Sequence, residues 1–135
     1  MALPAGLEKA YENADYVVFC EPELVLKIGE PSPRLDAMLE QIPSAAFVTA
    51  CNPGSEPRSD AQNRAAMEAL EGLVRAAGCP HHPGEGRDPD GKWPAEPSLL
   101  VVGIYRENAE ALGRLFGQNA IVFIVKGEAP RLIFL

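Results

Sequence analysis

A chain of 135 residues, 47% of them apolar, has the size of one domain and can bury roughly two-thirds of its unfolded surface. Its net charge of −7, with basic residues scattered singly, argues against nucleic acid as a partner, because such binding draws on clustered Lys and Arg. No apolar run approaches the ~20 residues of a membrane span, and the N-terminus lacks the basic start and apolar centre of a signal peptide, so a cytoplasmic protein without a membrane partner is expected.

Residues 4–13 read as a short helix with Leu7, Ala10 and Tyr11 on one side. The segment "DYVVFCEPELVLKIG" reads as two strands of an antiparallel hairpin around Glu21-Pro22. Ser32 as N-cap and Pro33 at the first helical position then start a second helix, whose Leu35, Met38, Leu39 and Ile42 form one buried face. Residues 44–50 are nearly all apolar, as in a strand covered on both sides.

The longest helix is expected over 60–77, with Ser59 and Gln62 as a capping box and Gly78 as its stop. Its apolar stripe is Ala66, Leu70, Leu73 and Ala77, and Arg64/Glu68 and Glu71/Arg75 pair outside at i, i+4. Gly72 costs roughly 1 kcal/mol relative to Ala there, which a close backbone contact would explain. Residues 79–97, rich in Pro and Gly and without periodicity, read as a long loop. "SLLVVGIY" is the next buried strand. A helix over 106–116 follows, with Leu112, Leu115 and Phe116 inward and Gly117 as its stop. "NAIVFIV" and "RLIFL" are the last two strands.

The order is α-β-β-α-β-α-β-α-β-β. It predicts a single compact α/β domain over residues 1–135, with α+β as the alternative. Strands alternating with helices point to βαβ units and hence a mixed sheet of five to six strands with helices packed on it.

Three polar clusters stand at the ends of these elements. The first is Asn52, Pro53 and Ser55 in the turn "TACNPGS", with Asn63 one turn into the following helix and on its buried side. Strand ends facing helix starts are common ligand positions in α/β folds, while Asn, Pro and Gly also simply make turns. The second is Gly86, Asp88, Asp90, Trp93 and Glu96. "DPDG" is a turn sequence without the full calcium-loop pattern, so no metal site is expected. A Glu96 carboxyl against the Trp93 indole in a closed pocket would have a raised pKa and could serve as an acid or base; the plainer role has Trp93 plugging the core and Glu96 in solvent. The third is Gln118-Asn119, placed to satisfy the carbonyls of a helix end or to read a polar ligand.

Other clusters are poorer sites. "CPHH" at 79–82 lacks the second ligand pair of a zinc centre. Cys51 could act as a nucleophile only if His81 or His82 lay beside it. Three cysteines, Cys20, Cys51 and Cys79, cannot all pair within one chain, so disulfide scaffolding is not expected. A geometric condition also follows. If the strands at 45–50, 98–104 and 120–125 ran parallel, Asn52 would lie at one sheet edge and Glu96 and Gln118 at the other, roughly 20 Å away at about 3.3 Å per residue. One shared site requires an antiparallel strand or a loop folded across the sheet.

Over nearly its whole length the chain resembles an uncharacterised bacterial family, the domain-of-unknown-function family 3293. The resemblance rests on "YENADYVV", "AAFVTACNPGS", Asn63, "GRDPDGKWPAEPSLLVVGI" and "LGRLFGQNAIVF". It implies that Asn52, Pro53, Ser55, Asn63, Trp93, Glu96, Gln118 and Asn119 match the family's pattern. An aromatic commonly occupies the position of Cys51 in that pattern, which counts against a nucleophile here. The resemblance lends no activity and no cofactor.

The functional expectation is a small polar ligand bound near the 52–63 turn and the 84–97 loop. Asn52, Ser55, Asn63, Gln118 and Asn119 would be polar contacts, Trp93 a wall, and Glu96 the titrating group. The alternatives are a hydrolase or transferase using Glu96 as general acid/base, and an interaction module that forms a homodimer through the edge strand "RLIFL".

Overall fold

The computed structural model describes residues 6–135, so the first residues of the expected 4–13 helix lie outside it. The elements are α1 (Leu7–Asn13), β1 (Asp15–Val18), β2 (Leu24–Leu26), α2 (Pro33–Asp36), β3 (Ser44–Val48), α3 (Asp60–Ala76), β4 (His81–Arg87), β5 (Glu96–Val102), α4 (Arg106–Leu115), β6 (Ala120–Val125) and β7 (Arg131–Phe134). A single 3₁₀ turn, Pro53–Ser55, lies between β3 and α3. No helix among the described residues is long and apolar enough to cross a membrane.

The α/β class is as expected, with helices packed on one sheet. The sheet has seven strands rather than five to six, in the order β2-β1-β4-β5-β3-β6-β7. It is also not mixed: all six pairings are antiparallel. The difference comes from β4, which occupies most of the first half of the segment read as a loop. β3 and β4 run the same way, joined by α3, but β5 turns back from β4 and fills the gap between them. β5 and β6 likewise run the same way, joined by α4, with β3 between them. The two βαβ crossovers are present, and each pair of like-directed strands is separated by an opposite one.

Side-chain alternation along the strands divides the core into two layers. On one face Val48, Leu99, Val101, Ile121 and Phe123 meet Leu70 and Val74 of α3 and Ala109 of α4. On the other, Tyr16, Val18, Phe47, Leu100 and Val122 meet Leu35 and Leu39, with Trp93 and Leu132 packed against the cluster. Tyr16 and Phe47 touch edge-to-face, with ring centroids 5.3 Å apart.

The helix ends follow their sequence signals. Ser32 accepts a hydrogen bond from the Leu35 N–H, and Ser59 and Gln62 form a reciprocal capping box. Arg75 and Glu71 pair at 3.0 Å, but the expected Arg64–Glu68 pair is not among the ion pairs of the described residues. Other details also differ from expectation. α2 ends at Asp36, so Met38 and Ile42 lie beyond it. Leu73 and Leu115 are exposed, because the sheet-facing stripes run through Leu70 and Val74 on α3 and Ala109 and Gly113 on α4. No heavy atom stands within 4 Å of where a Gly72 side chain would begin, so no close contact explains that glycine.

Candidate functional site

The directions of β3, β5 and β6 decide whether the polar clusters share a site. β3 is antiparallel to both neighbours, with Val48 opposite Leu99 and Phe47 opposite Val122. The residues that follow β3 therefore emerge beside those that precede β5 and β6. Asn52, Glu96 and Gln118 stand at one edge of the sheet, and the condition set by the sequence is met by the reversal of β3.

Asn52 is the hub. Its backbone has φ 46 and ψ 62, a left-handed conformation that Asn tolerates better than most residues. Its Oδ1 accepts from the Arg58 N–H at 2.9 Å and from Asn63 Nδ2 at 2.9 Å. A backbone N–H can only donate, so the Arg58 contact fixes which end of the Asn52 amide is oxygen. Its Nδ2 then points the other way and donates to Glu96 Oε2 at 3.0 Å. Asn63 Oδ1 closes the ring by accepting from the Asn52 N–H at 2.9 Å. The polar residue on the buried side of α3 thus braces the preceding turn.

The neighbouring groups are tied in similarly. Gln118 Nε2 donates to the carbonyls of Cys51, at 3.0 Å, and Phe116, at 3.2 Å. Asn119 Nδ2 donates to Ser55 Oγ at 3.0 Å and to the Tyr11 hydroxyl at 3.4 Å, while the Tyr11 and Ser55 hydroxyls share a hydrogen bond of 2.8 Å. Ser55, at φ 62, is the second non-glycine residue in the left-handed region, so the turn holds two such residues within four positions.

Tyr11, Asn52, Ser55, Asn63 and Gln118 border a cavity of about 770 Å³, while Asn119 stands behind the Ser55 and Tyr11 hydroxyls and does not line it. Tyr16, Phe47, Val122 and Leu132 form its apolar side, Trp93 and Pro94 cover it from the loop after β4, and Arg58, Asp60 and Arg64 stand at its mouth. Gly86 explains why space exists. Across the sheet it lies between Tyr16 on β1 and Glu96 on β5, in register with both, and an added Cβ would meet nothing within 4 Å. Where every other residue of that row carries a large side chain, this position carries none.

Glu96 is the electrostatic centre. Burial pushes its carboxyl above the usual range, and the Asn52 hydrogen bond pulls part of the way back. It takes part in no ion pair among the described residues. The Tyr16 hydroxyl, donating to the Tyr11 carbonyl at 2.6 Å, is pushed up by burial first, then by Tyr11 and by the charge of Glu96. Cys51 is buried, and burial raises its thiol further than the Thr49 hydrogen bond lowers it. A thiol held in its neutral form is a poor nucleophile. His81 pairs with Val101, four residues along β5 from the Pro97 carbonyl that Cys51 Sγ meets, which is about 13 Å at 3.3 Å per residue. Those residues form no nucleophile–base pair.

The "DPDG" segment is a turn. Asp88 Oδ1 accepts from the Asp90 N–H at 3.0 Å and Oδ2 from the Lys92 N–H at 2.7 Å, so both carboxylate oxygens serve the backbone. No group of three His, Cys, Asp or Glu side chains that could hold a metal ion occurs among the described residues. Thr49, Tyr16 and Arg58 join the site without having been singled out by sequence, and Tyr11 joins it although the sequence marked it only as part of a helix face. Tyr16 alternates inward with Val18, and its closeness to Glu96 depends on β1 pairing with β4.

Residues 48–121 match the model of a family described as protein of unknown function (DUF3293). The chain belongs to that family. The match covers the turn at Asn52, α3, β4, Glu96 and Gln118-Asn119, and so contains most of the polar part of the DUF3293 chain's cavity, while Tyr11 and Tyr16 lie before it. No curated protein and no solved structure matches the chain. The description of DUF3293 names no ligand or reaction, so the site is read from its own chemistry.

Proposed function

We propose that this bacterial, cytoplasmic DUF3293 domain binds a small polar ligand in the cavity beside Asn52 and Trp93. The observation that carries the reading is the convergence of three polar clusters, from the ends of β3, β5 and β6, on one cavity of about 770 Å³. Volumes of that order are typical of small-molecule sites, where an apolar lining is set with a few polar groups. In this reading Asn52, Asn63 and Gln118 are mainly a frame, since their amides are already engaged. Glu96 and Ser55 face the ligand, with Trp93 as a wall and Asn119 holding the Ser55 hydroxyl from behind. The three free thiols suit a reducing compartment.

The test is a nuclear magnetic resonance titration of a small-molecule fragment set against wild type and Gly86→Leu, which would fill the space between Tyr16 and Glu96. Fragments should shift Tyr16, Asn52 and Glu96 in wild type and lose that effect in Gly86→Leu. Hits that shift only residues elsewhere, or bind both proteins alike, would count against the cavity. Gly86→Ala, a smaller change, serves if the leucine variant does not fold.

A second reading makes the same cavity catalytic, with Glu96 as general acid/base in a hydrolysis or transfer reaction. Its support is the raised carboxyl of Glu96 beside a single neutral donor. Glu96→Gln should then abolish turnover while ligand still binds; retained turnover would sink it. A homodimer through β7 is a third reading, supported by the edge position of that strand and the exposed Phe134. A monomeric mass in solution would end it.

A further inference from the structure

Resting on the small-ligand reading, we propose that the ligand is an organic ammonium compound with an anionic group at its far end. Its cation would sit against Glu96 between the rings of Tyr16, Phe47 and Trp93, and its anion at Arg58 and Arg64. Four observations support this. First, Glu96 is a largely enclosed carboxylate whose one hydrogen-bonding protein partner among the described residues is the neutral Asn52 amide. An enclosed carboxylate without a cation carries an uncompensated desolvation cost, which a bound ammonium removes. Second, three aromatic rings line the same cavity, and ring faces attract cations, most strongly when water is excluded.

Third, Gly86 leaves the row between Tyr16 and Glu96 open, so a ligand group can reach the carboxylate over the backbone. Fourth, the chain is acidic overall, yet two arginines stand at the cavity mouth. Arg58 and Arg64, like Arg34 and Arg131, form none of the ion pairs among the described residues, but of these four only Arg58 and Arg64 line the cavity. Asp60 also lines the mouth, leaving one excess positive charge there.

The spacing suits one molecule. Glu96 and the Arg58 backbone are joined through the Asn52 amide by hydrogen bonds of 3.0 and 2.9 Å, so the chain carrying the Arg58 side chain passes within about 8 Å of the carboxylate. A simple anion would meet the repulsion of Glu96. A neutral apolar compound would seal that carboxylate from water without a partner. A cation alone would leave the arginines unused. A ligand charged at both ends, with an apolar body between, answers all the groups present.

Four probes separate these cases: para-aminomethylbenzoate, benzylamine, para-toluate and benzyl alcohol, titrated against the full chain by nuclear magnetic resonance. Para-aminomethylbenzoate should bind at least about tenfold more tightly than any of the others, a step of the size expected for one charge-assisted contact. Glu96→Gln should remove its advantage over para-toluate, and the double variant Arg58→Gln/Arg64→Gln its advantage over benzylamine. Equal or tighter binding of para-toluate or benzyl alcohol in the cavity overturns the ligand class and leaves the cavity reading standing. Binding of para-aminomethylbenzoate that is indifferent to Glu96→Gln overturns it too. So does the absence of any shift from all four at millimolar concentration; the fragment comparison with Gly86→Leu then judges the cavity separately.

Discussion

Asn63 holds Asn52 at two points, accepting from its backbone N–H and donating to its side-chain oxygen, each at 2.9 Å. The pair locks a left-handed turn residue to the first turns of α3, and the free end of the Asn52 amide is thereby aimed at Glu96. Replacing Asn63 by Ala leaves the Asn52 N–H without its acceptor. The expected cost is about 1–3 kcal/mol, read by chemical denaturation. The Glu96 and Arg58 resonances should shift as well, although neither residue touches position 63 through a hydrogen bond. An unchanged denaturation midpoint would show that the ring of hydrogen bonds is dispensable.

Glu96 should make stability depend on pH in one direction. Its folded pKa lies above the ordinary value of 4.5 because of burial. Well below 4.5 both folded and unfolded chains hold the proton, and no penalty arises. As pH rises through the folded value, the folded chain must bury a carboxylate that the unfolded chain keeps in water, so stability is lost. Glu96→Gln should therefore melt higher than wild type at pH 7, with the difference closing in acid. A variant that melts lower at pH 7 would mean the Asn52 hydrogen bond outweighs burial.

Two glycines on β4 should respond very unequally to an added side chain. A Cβ on Gly84 would collide with the Val17 carbonyl oxygen and stand 3.3 Å from the Phe47 ring. That oxygen belongs to the paired strand, so Gly84→Ala should cost about 3 kcal/mol or more through displaced backbone. Gly86→Ala faces open space and should change stability by no more than about 0.5 kcal/mol. Thermal melting of both variants checks the contrast, and similar losses would refute it.

Gly72→Ala should stabilise the protein by about 1 kcal/mol. The position is interior to α3, its Cβ would meet nothing, and alanine restricts the unfolded chain where glycine does not. Urea denaturation is the measurement, and a loss of stability would point to a contact not evident from the packing.

The elements that were legible in the sequence carry local chemistry. Ser32, Ser59 and Gln62 mark helix starts because a capping side chain acts within three residues of itself, and Gly78 and Gly117 mark stops for the same reason. β4 was not legible. "HHPGEGR" has no apolar alternation, contains a proline and two glycines, and is a strand only because β1 and β5 present ladders on both sides of it. Missing it made β5 look like the strand that follows α3, which reversed the inferred direction of β5 relative to β3. The site residues were readable as polar groups at element ends, but their convergence was not, since it depends on that direction. Leu73 and Leu115 misled for a simpler reason: a helix with several apolar residues offers more than one stripe, and only the sheet selects between them.

The hydrogen bond from Asn119 to the Tyr11 hydroxyl spans 108 positions of the chain. Closing so long a loop is entropically expensive, and contacts of this kind form late in folding. The pocket therefore exists only once the first helix and the sixth strand have come together, and no large fragment of the chain can carry it. A compound captured there reports on the finished molecule, and its binding free energy adds to the stability of the whole fold rather than of one part.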